Sequence, residues 1–224
     1  TENLPPFNMA VSGGNFARDD GISGISAETL RLVCQRAGIE CQQILRFPWE
    51  RVYNQALDEA GYVLFSVART AEREALFKWV GSIAGEDWVL LARGDSPIQL
   101  SSLQQAGEYR LGGYKGDAPS QHVVDQGLEV QLSLYDKENP ERLAKGQIDL
   151  WVTSSVAGQY LARQQGHADF RVALTFGRGD LYLALPEDLR GRVDLLVVNA
   201  VGEGRAFEVD SNDGWLLASD GTES

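Results

Sequence analysis

The segment Leu64-Phe65-Ser66-Val67-Ala68-Arg69-Thr70-Ala71-Glu72-Arg73 most constrains this chain, because an apolar strand runs without a linker into small polar residues and a turn carrying an arginine. A strand that leaves a core there exposes backbone N–H groups. Ser66 and Thr70 add hydroxyls, and an arginine a few residues on presents a planar guanidinium able to grip a carboxylate through two parallel hydrogen bonds. The pattern points to a site for one small anion, and a carboxylate fits it best. An aromatic-rich strand, Phe77-Lys78-Trp79-Val80-Gly81, follows directly.

The rest of the chain alternates strands with helices, the grammar of an α/β architecture. Residues 7–11 read as a first strand, and a Gly/Ser/Asn/Asp-rich loop leads to a helix over 26–37 with Ser26 as N-cap and Gly38 as stop. Ala27, Leu30, Val33, Cys34 and Ala37 share one face of that helix. A strand over 41–47 precedes Pro48, which opens a second helix whose stripe is Trp49, Val52, Tyr53, Ala56 and Leu57. The run Trp88-Val89-Leu90-Leu91-Ala92 is a buried strand ending in the turn formers Arg93-Gly94-Asp95-Ser96-Pro97.

A second βα series follows. It has helices expected near 102–106, 118–126, 140–145 and 155–164, and strands at 109–112, 129–134 and 148–153. Strand-like stretches at 170–175 and 181–185, split by Gly177-Arg178-Gly179-Asp180, return the chain to its first half. The expected division is therefore two lobes, 1–91 with 183–224 and 92–182, joined by two crossings. Beyond residue 185, Val193-Asp194-Leu195-Leu196-Val197-Val198-Asn199 favours a strand through its β-branched content.

Composition narrows the function. A chain of 224 residues, 43% hydrophobic, has enough apolar material for a proper core. Its net charge of −12, with basic residues scattered, argues against nucleic acid or an anionic membrane as partner. No apolar run reaches the length of a spanning helix, and the start at Thr1-Glu2-Asn3 reads as a processed end. Cys34 and Cys41 lie at a helix end and the next strand, where an oxidising compartment permits a disulfide; otherwise they are two small, partly buried hydrophobes. With His122 and His167 distant in sequence, they make no metal site, and no metal or cofactor is expected. Ser12-Gly13-Gly14 lacks the rest of a dinucleotide fingerprint, and no Gly-x-Ser-x-Gly elbow occurs.

Taken with its flanks, the opening segment resembles the family 3 extracellular solute-binding proteins, periplasmic receptors that deliver amino acids and similar solutes to ABC importers. The resemblance rests on Thr70-Ala71-Glu72-Arg73 with Phe77-Lys78-Trp79-Val80-Gly81, on Gly24-Ile25-Ser26-Ala27-Glu28-Thr29-Leu30, on Phe47-Pro48-Trp49-Glu50-Arg51, and on Gly146-Gln147-Ile148-Asp149-Leu150-Trp151, in the family's order over about residues 7–185. It implies a two-lobed type II periplasmic binding fold with two interlobe crossings and a ligand cleft closed by hinge motion. It also implies a periplasmic, monomeric, non-enzymatic protein whose partners are a small ligand and a membrane permease. The C-terminal stretch departs from the family, whose members usually end there in a long amphipathic helix.

By the same resemblance, Arg73 takes the ligand's carboxylate and Ser66 and Ala68 lie beside it, Ala68 through its backbone alone. The turn Gly113-Tyr114-Lys115-Gly116-Asp117-Ala118 closes over that carboxylate from the second half, so Lys115, Gly116, Asp117 and Ala118 join the expected site. Phe16 and Trp49 are the expected aromatic walls, ahead of Trp79 and Trp151. Family members commonly place an aspartate where this chain has Ser154, to neutralise an α-ammonium. Either the ligand lacks that amine, or Asp19, Asp20, Glu50 or Asp117 supplies the charge. Two rivals are an enzyme on the same scaffold, as in cyclohexadienyl dehydratases, with Glu50 or Asp117 as the acid, and a detached ligand-sensing domain.

Overall fold

The computed structural model describes residues 1–38 and 40–186, and the backbone of three short strands beyond them. The chain runs β1 (Met9–Ala10), β2 (Phe16–Arg18), β3 (Ile22–Ser23), α1 (Ile25–Ala37), β4 (Ile44–Arg46), α2 (Trp49–Asp58), β5 (Leu64–Ala68) and β6 (Lys78–Ala92). It continues with β7 (Leu111–Tyr114), α3 (Ala118–Asp125), β8 (Val130–Ser133), α4 (Asn139–Ala144), β9 (Leu150–Ser154), α5 (Ser155–Gln164) and β10 (Arg171–Leu185). Strands β11 (Val198–Asn199), β12 (Ala206–Val209) and β13 (Leu216–Ser219) form an antiparallel set. The strand expected over 193–199 falls on described residues only at Val198–Asn199.

Two compact units are present, Thr1–Ala84 with the described residues from Asp180, and Gly85–Gly179. Strands β6 and β10 each pass from one unit to the other as fifteen-residue strands. The hydrogen-bonded order β5-β10-β6-β9-β7-β8 is one mixed series running through them. The changeovers thus lie inside strands and not in the turn formers after Ala92.

In the first unit, β5 pairs antiparallel with β10, Leu181 facing Ala68 and Tyr182 facing Val67. Both faces of β5 are covered. Phe65 packs with Ile22, Leu45, Val80 and Leu183, while Leu64 and Val67 pack with Val52, Ala56, Phe77 and Trp79. That two-sided burial explains its unbroken apolar sequence. Helix α1 starts one residue before the expected position and is capped by Gly24, not Ser26. The N–H groups of Ile25 and Ser26 donate to the carbonyls of Pro6 and Phe7, so the backbone replaces a capping side chain. Gly24 has φ +118°, and a Cβ there would stand 2.5 Å from both carbonyl oxygens. A Cys34–Cys41 disulfide ties the end of α1 to the approach of β4.

In the second unit, β7 runs parallel to β8 and β9, whereas β6 is antiparallel to β9, with Trp88 opposite Ser154 and Leu91 opposite Trp151. One face holds Leu90, Leu111, Val123, Leu150 and Val152; the other holds Val89, Leu91, Leu143, Ile148 and Trp151. Gly177-Arg178-Gly179-Asp180 is no break, because it continues β10. Its glycines admit the Trp88 indole, since a Cβ on Gly179 would lie 2.4 Å from Trp88 Nε1. These glycines make room for a ring within one strand and do not separate two.

Candidate functional site

The first unit gathers its polar groups where β5 ends. Ser66 has φ +59°, the left-handed region a non-glycine residue rarely takes, and its buried hydroxyl has no hydrogen-bond partner. The Thr70 hydroxyl is likewise buried without one. A strained residue costs roughly 1–3 kcal/mol and an unpaired buried hydroxyl about as much.

The turn after β5 sorts two arginines. Arg69 is paired with Glu74 through Nε at 2.7 Å and Nη2 at 2.5 Å, and its guanidinium lies over Trp79 and Tyr182 at 5.9 and 5.8 Å. The guanidinium of Arg69 holds the Glu74 carboxyl below its ordinary range. Glu74 is thereby engaged by Arg69. Arg73 instead donates from Nη1 to the Ala68 carbonyl at 3.3 Å and lies over the rings of Trp49 and Tyr53 at 5.2 and 5.7 Å. These contacts fix the plane of the fork. The backbone carbonyl of Ala68, expected to face a ligand, accepts from Arg73.

Trp49 belongs to a ladder of ring contacts through Tyr53, Phe77 and Trp79 to Tyr182, with centroids 5.6 to 6.0 Å apart. Trp49 starts α2 as expected, with Pro48 as its N-cap. Phe16 stands apart on β2, 54% exposed, with Arg18 over its ring at 5.8 Å. Among the suggested counter-acids, Asp19 already accepts the Gln43 N–H at 2.8 Å.

In the second unit the turn at 113–118 is internally bonded. The N–H groups of Tyr114, Lys115 and Asp117 donate to Ser120 Oγ, the Ser133 carbonyl and the Tyr114 carbonyl. Gly116 has φ +82°, and Asp117 is the N-cap residue of α3, followed by Ala118, without a side-chain capping bond. Asp149 accepts from the Arg110 N–H, Nε and Nη2 at 2.7–2.9 Å, a structural clasp. A cavity of about 300 Å³ borders Arg93 and Arg110, but these guanidiniums are paired with Asp95 and Asp149.

Ser154 is buried as the N-cap of α5, where its hydroxyl accepts the Ala157 N–H at 3.2 Å. Glu86 is 7% exposed, and burial pushes its carboxyl up to about 7. Asp136 accepts from Trp151 Nε1 at 3.1 Å and Asn139 Nδ2 at 3.0 Å, and burial pushes it up to about 6. Sequence reasoning missed both acids. The available signal was parity: Glu86 alternates with Trp88 and Leu90, an inward position on a strand. Among the described residues no group of three or more His, Cys, Asp or Glu is placed to hold a metal, and no helix is long and apolar enough to cross a membrane.

No family model matches the chain. In sequence it is similar to the Coenzyme A biosynthesis bifunctional protein CoaBC of Mycobacterium tuberculosis, 36% identical over 197 residues that cover 79% of this chain and 44% of that protein. The corresponding protein of Mycolicibacterium smegmatis is 40% identical over 127 residues, covering 48% of this chain and 31% of the relative. The chain therefore spans less than half the length of the curated relatives it matches. Those relatives are an enzyme, which overturns the expectation of a non-enzymatic protein.

In fold, the chain is similar to a histidine kinase sensor domain with similarity to periplasmic binding proteins, at TM-score 0.71 and 15% identity over 85% of this chain and 82% of that one. The arginine-, lysine-, histidine-binding protein ArtJ of Geobacillus stearothermophilus matches at TM-score 0.69 and 15% identity, covering 86% and 84%. The GluR0 ligand-binding core of Nostoc punctiforme, in complex with (L)-glutamate, matches at 0.70 and 16%, covering 84% and 83%. At such identities the likeness concerns architecture alone. The chain has the α/β fold of the two-lobed periplasmic binding proteins.

Proposed function

We propose that this chain binds a small carboxylate-bearing solute of the amino-acid class, with Arg73 as its carboxylate clamp, and that it serves as a periplasmic receptor delivering that solute to an ABC importer. The observation that carries the binding reading is the presence, on β5 and the turn that follows it, of a fixed, aromatic-stacked Arg73 and the orphaned hydroxyls of Ser66 and Thr70. A carboxylate would satisfy both kinds of group at once, because its oxygens accept from guanidinium and hydroxyl alike. The fold neighbours include proteins described as binding arginine, lysine, histidine or glutamate, which supports the solute class. A thermal-shift screen of amino acids, keto acids and dicarboxylates tests the reading. A ligand of this class at a hundred times its Kd stabilises the folded chain by about 2.7 kcal/mol; a screen in which no carboxylate shifts the melt, while neutral solutes do, rejects it.

A further inference from the structure

Strands β7 and β9 run parallel, so Arg110 and Asp149, which directly precede Leu111 and Leu150, stand at one end of the second unit's sheet. Strand β6 is antiparallel to β9, and Arg93, which directly follows Ala92, stands at that end too. The turn at 113–118 and Ser154 stand at the other end. The cavity of about 300 Å³ that Arg93, Arg110 and Asp149 border is therefore separate from every residue the sequence suggested for a ligand in this unit. Its apolar wall is Ile98, Leu143 and Ile148, the last two fully buried. Such a volume lies at the small end of the range for ligand pockets.

The ion pairs around the cavity leave donors over. Arg93 donates to Asp95 through Nε alone, at 3.0 Å, and that pair is open to water, its side chains 42% and 74% exposed. A Cβ on Gly146, which also lines the cavity, would lie 3.6 Å from Arg93 Nη1, so the remaining end of the guanidinium is at the cavity wall. Arg110 clasps Asp149 through Nε and Nη2, which leaves Nη1 outside the clasp. Hydrogen bonds from Arg110 hold the Asp149 carboxyl below its ordinary range, and the charge of Arg93 adds to this, so Asp149 is ionised at neutral pH. Two guanidiniums against one carboxylate leave the lining with a single excess positive charge, in a chain of net charge −12.

We propose that this cavity is a second ligand site, which takes a small monocarboxylate with an apolar body: the Nη groups of Arg93 hold the carboxylate, and Ile98, Leu143 and Ile148 receive the body. A single excess charge suits a monoanion better than a phosphate dianion, and a fully hydrated anion gains nothing from apolar walls. The proposal does not rest on Arg73, which belongs to the other unit.

Titration of the isotope-labelled whole chain with benzoate, acetate, benzamide and inorganic phosphate, followed through backbone amide NMR shifts, tests this. Benzoate should shift amides around 93–98, 110 and 146–149, and should bind there more tightly than acetate, through the ring, and than benzamide, through the charge. Arg93→Gln should weaken benzoate binding at these amides by about fivefold or more, and Arg93→Lys should retain part of it. Asp95→Ala, which releases Arg93 Nε, should tighten it by about twofold. All three variants should melt close to wild type, because the pair they alter is exposed. Shifts at these amides that persist in Arg73→Ala support the proposal. It is overturned by shifts confined to residues around Arg73, by phosphate binding as tightly as benzoate, by affinity unchanged in Arg93→Gln, or by weaker binding in Asp95→Ala.

Discussion

The guanidinium carbon of Arg73 lies 5.2 Å from the centre of the Trp49 ring. An arginine stacked on an aromatic face is held in one plane at little further entropic cost, and a planar fork is what bidentate carboxylate recognition requires. Trp49 thereby holds the plane of the Arg73 guanidinium. Trp49→Leu should weaken binding of a carboxylate ligand by about 0.5–2 kcal/mol, the range of a cation–π contact, with a smaller effect on melting temperature than a core truncation produces. Unchanged affinity by calorimetry would show that Arg73 is oriented by other contacts.

Ser66 offers a test in which stability and binding move in opposite directions. Its positive φ is a conformation that glycine adopts without steric cost, so Ser66→Gly should raise stability by up to roughly 1 kcal/mol while lowering ligand affinity through loss of the hydroxyl. Ser66→Ala keeps the backbone strain and removes the orphaned hydroxyl. Urea midpoints and titrations of both variants check this, and loss of stability in the glycine variant would mean that the hydroxyl is structurally engaged.

Stability should depend on pH through the buried Glu86 and the half-buried Asp136. The folded-state value of Glu86 is raised from 4.5 to about 7, so the native state holds its proton more tightly than the unfolded chain. No stability is lost below about 4.5; loss grows as pH rises through the interval to 7 and reaches on the order of 3 kcal/mol above it. Asp136, raised from 3.8 to about 6, acts in the same direction over a lower window. Urea unfolding at pH 5 and pH 8 should show wild type weaker at pH 8, and Glu86→Gln should lose much of that difference. An identical pH dependence in both proteins would contradict the burial of an ionisable Glu86.

The Cys34–Cys41 bridge closes a short loop between the end of α1 and β4. Its removal by Cys34→Ser with Cys41→Ser should cost about 2 kcal/mol, as expected for a small closed loop. Thermal melts of the double variant check this; no change would mean that the unfolded chain gains little freedom without the bridge.

Legibility from sequence followed how local the determining physics is. The helix over 155–164 and the start of α2 at Trp49 after Pro48 were readable because apolar periodicity and proline act within a few residues. The cap of α1 was not, because Gly24 works through carbonyls of Pro6 and Phe7 that only the fold brings near. The glycines before Asp180 read as a turn because the ring they admit, Trp88, lies about ninety positions earlier in the chain. In the candidate site, Arg73, Ser66 and Thr70 stand in one contiguous stretch and are visible as a pattern, whereas Glu86 and Asp136 stand out only once the fold takes their carboxyls away from water.

The central claim, that Arg73 is the carboxylate clamp, is tested most directly by titrating one carboxylate ligand found in the thermal screen into wild type, Arg73→Lys and Arg73→Ala. The account predicts losses of about 1.5–3 kcal/mol for the alanine variant, roughly 10- to 150-fold in Kd, and a clear loss for lysine too, since a point charge cannot replace the fork. Affinity unchanged in Arg73→Ala, with the melting temperature also unchanged, would contradict it and leave Arg73 as a surface side chain resting on Trp49.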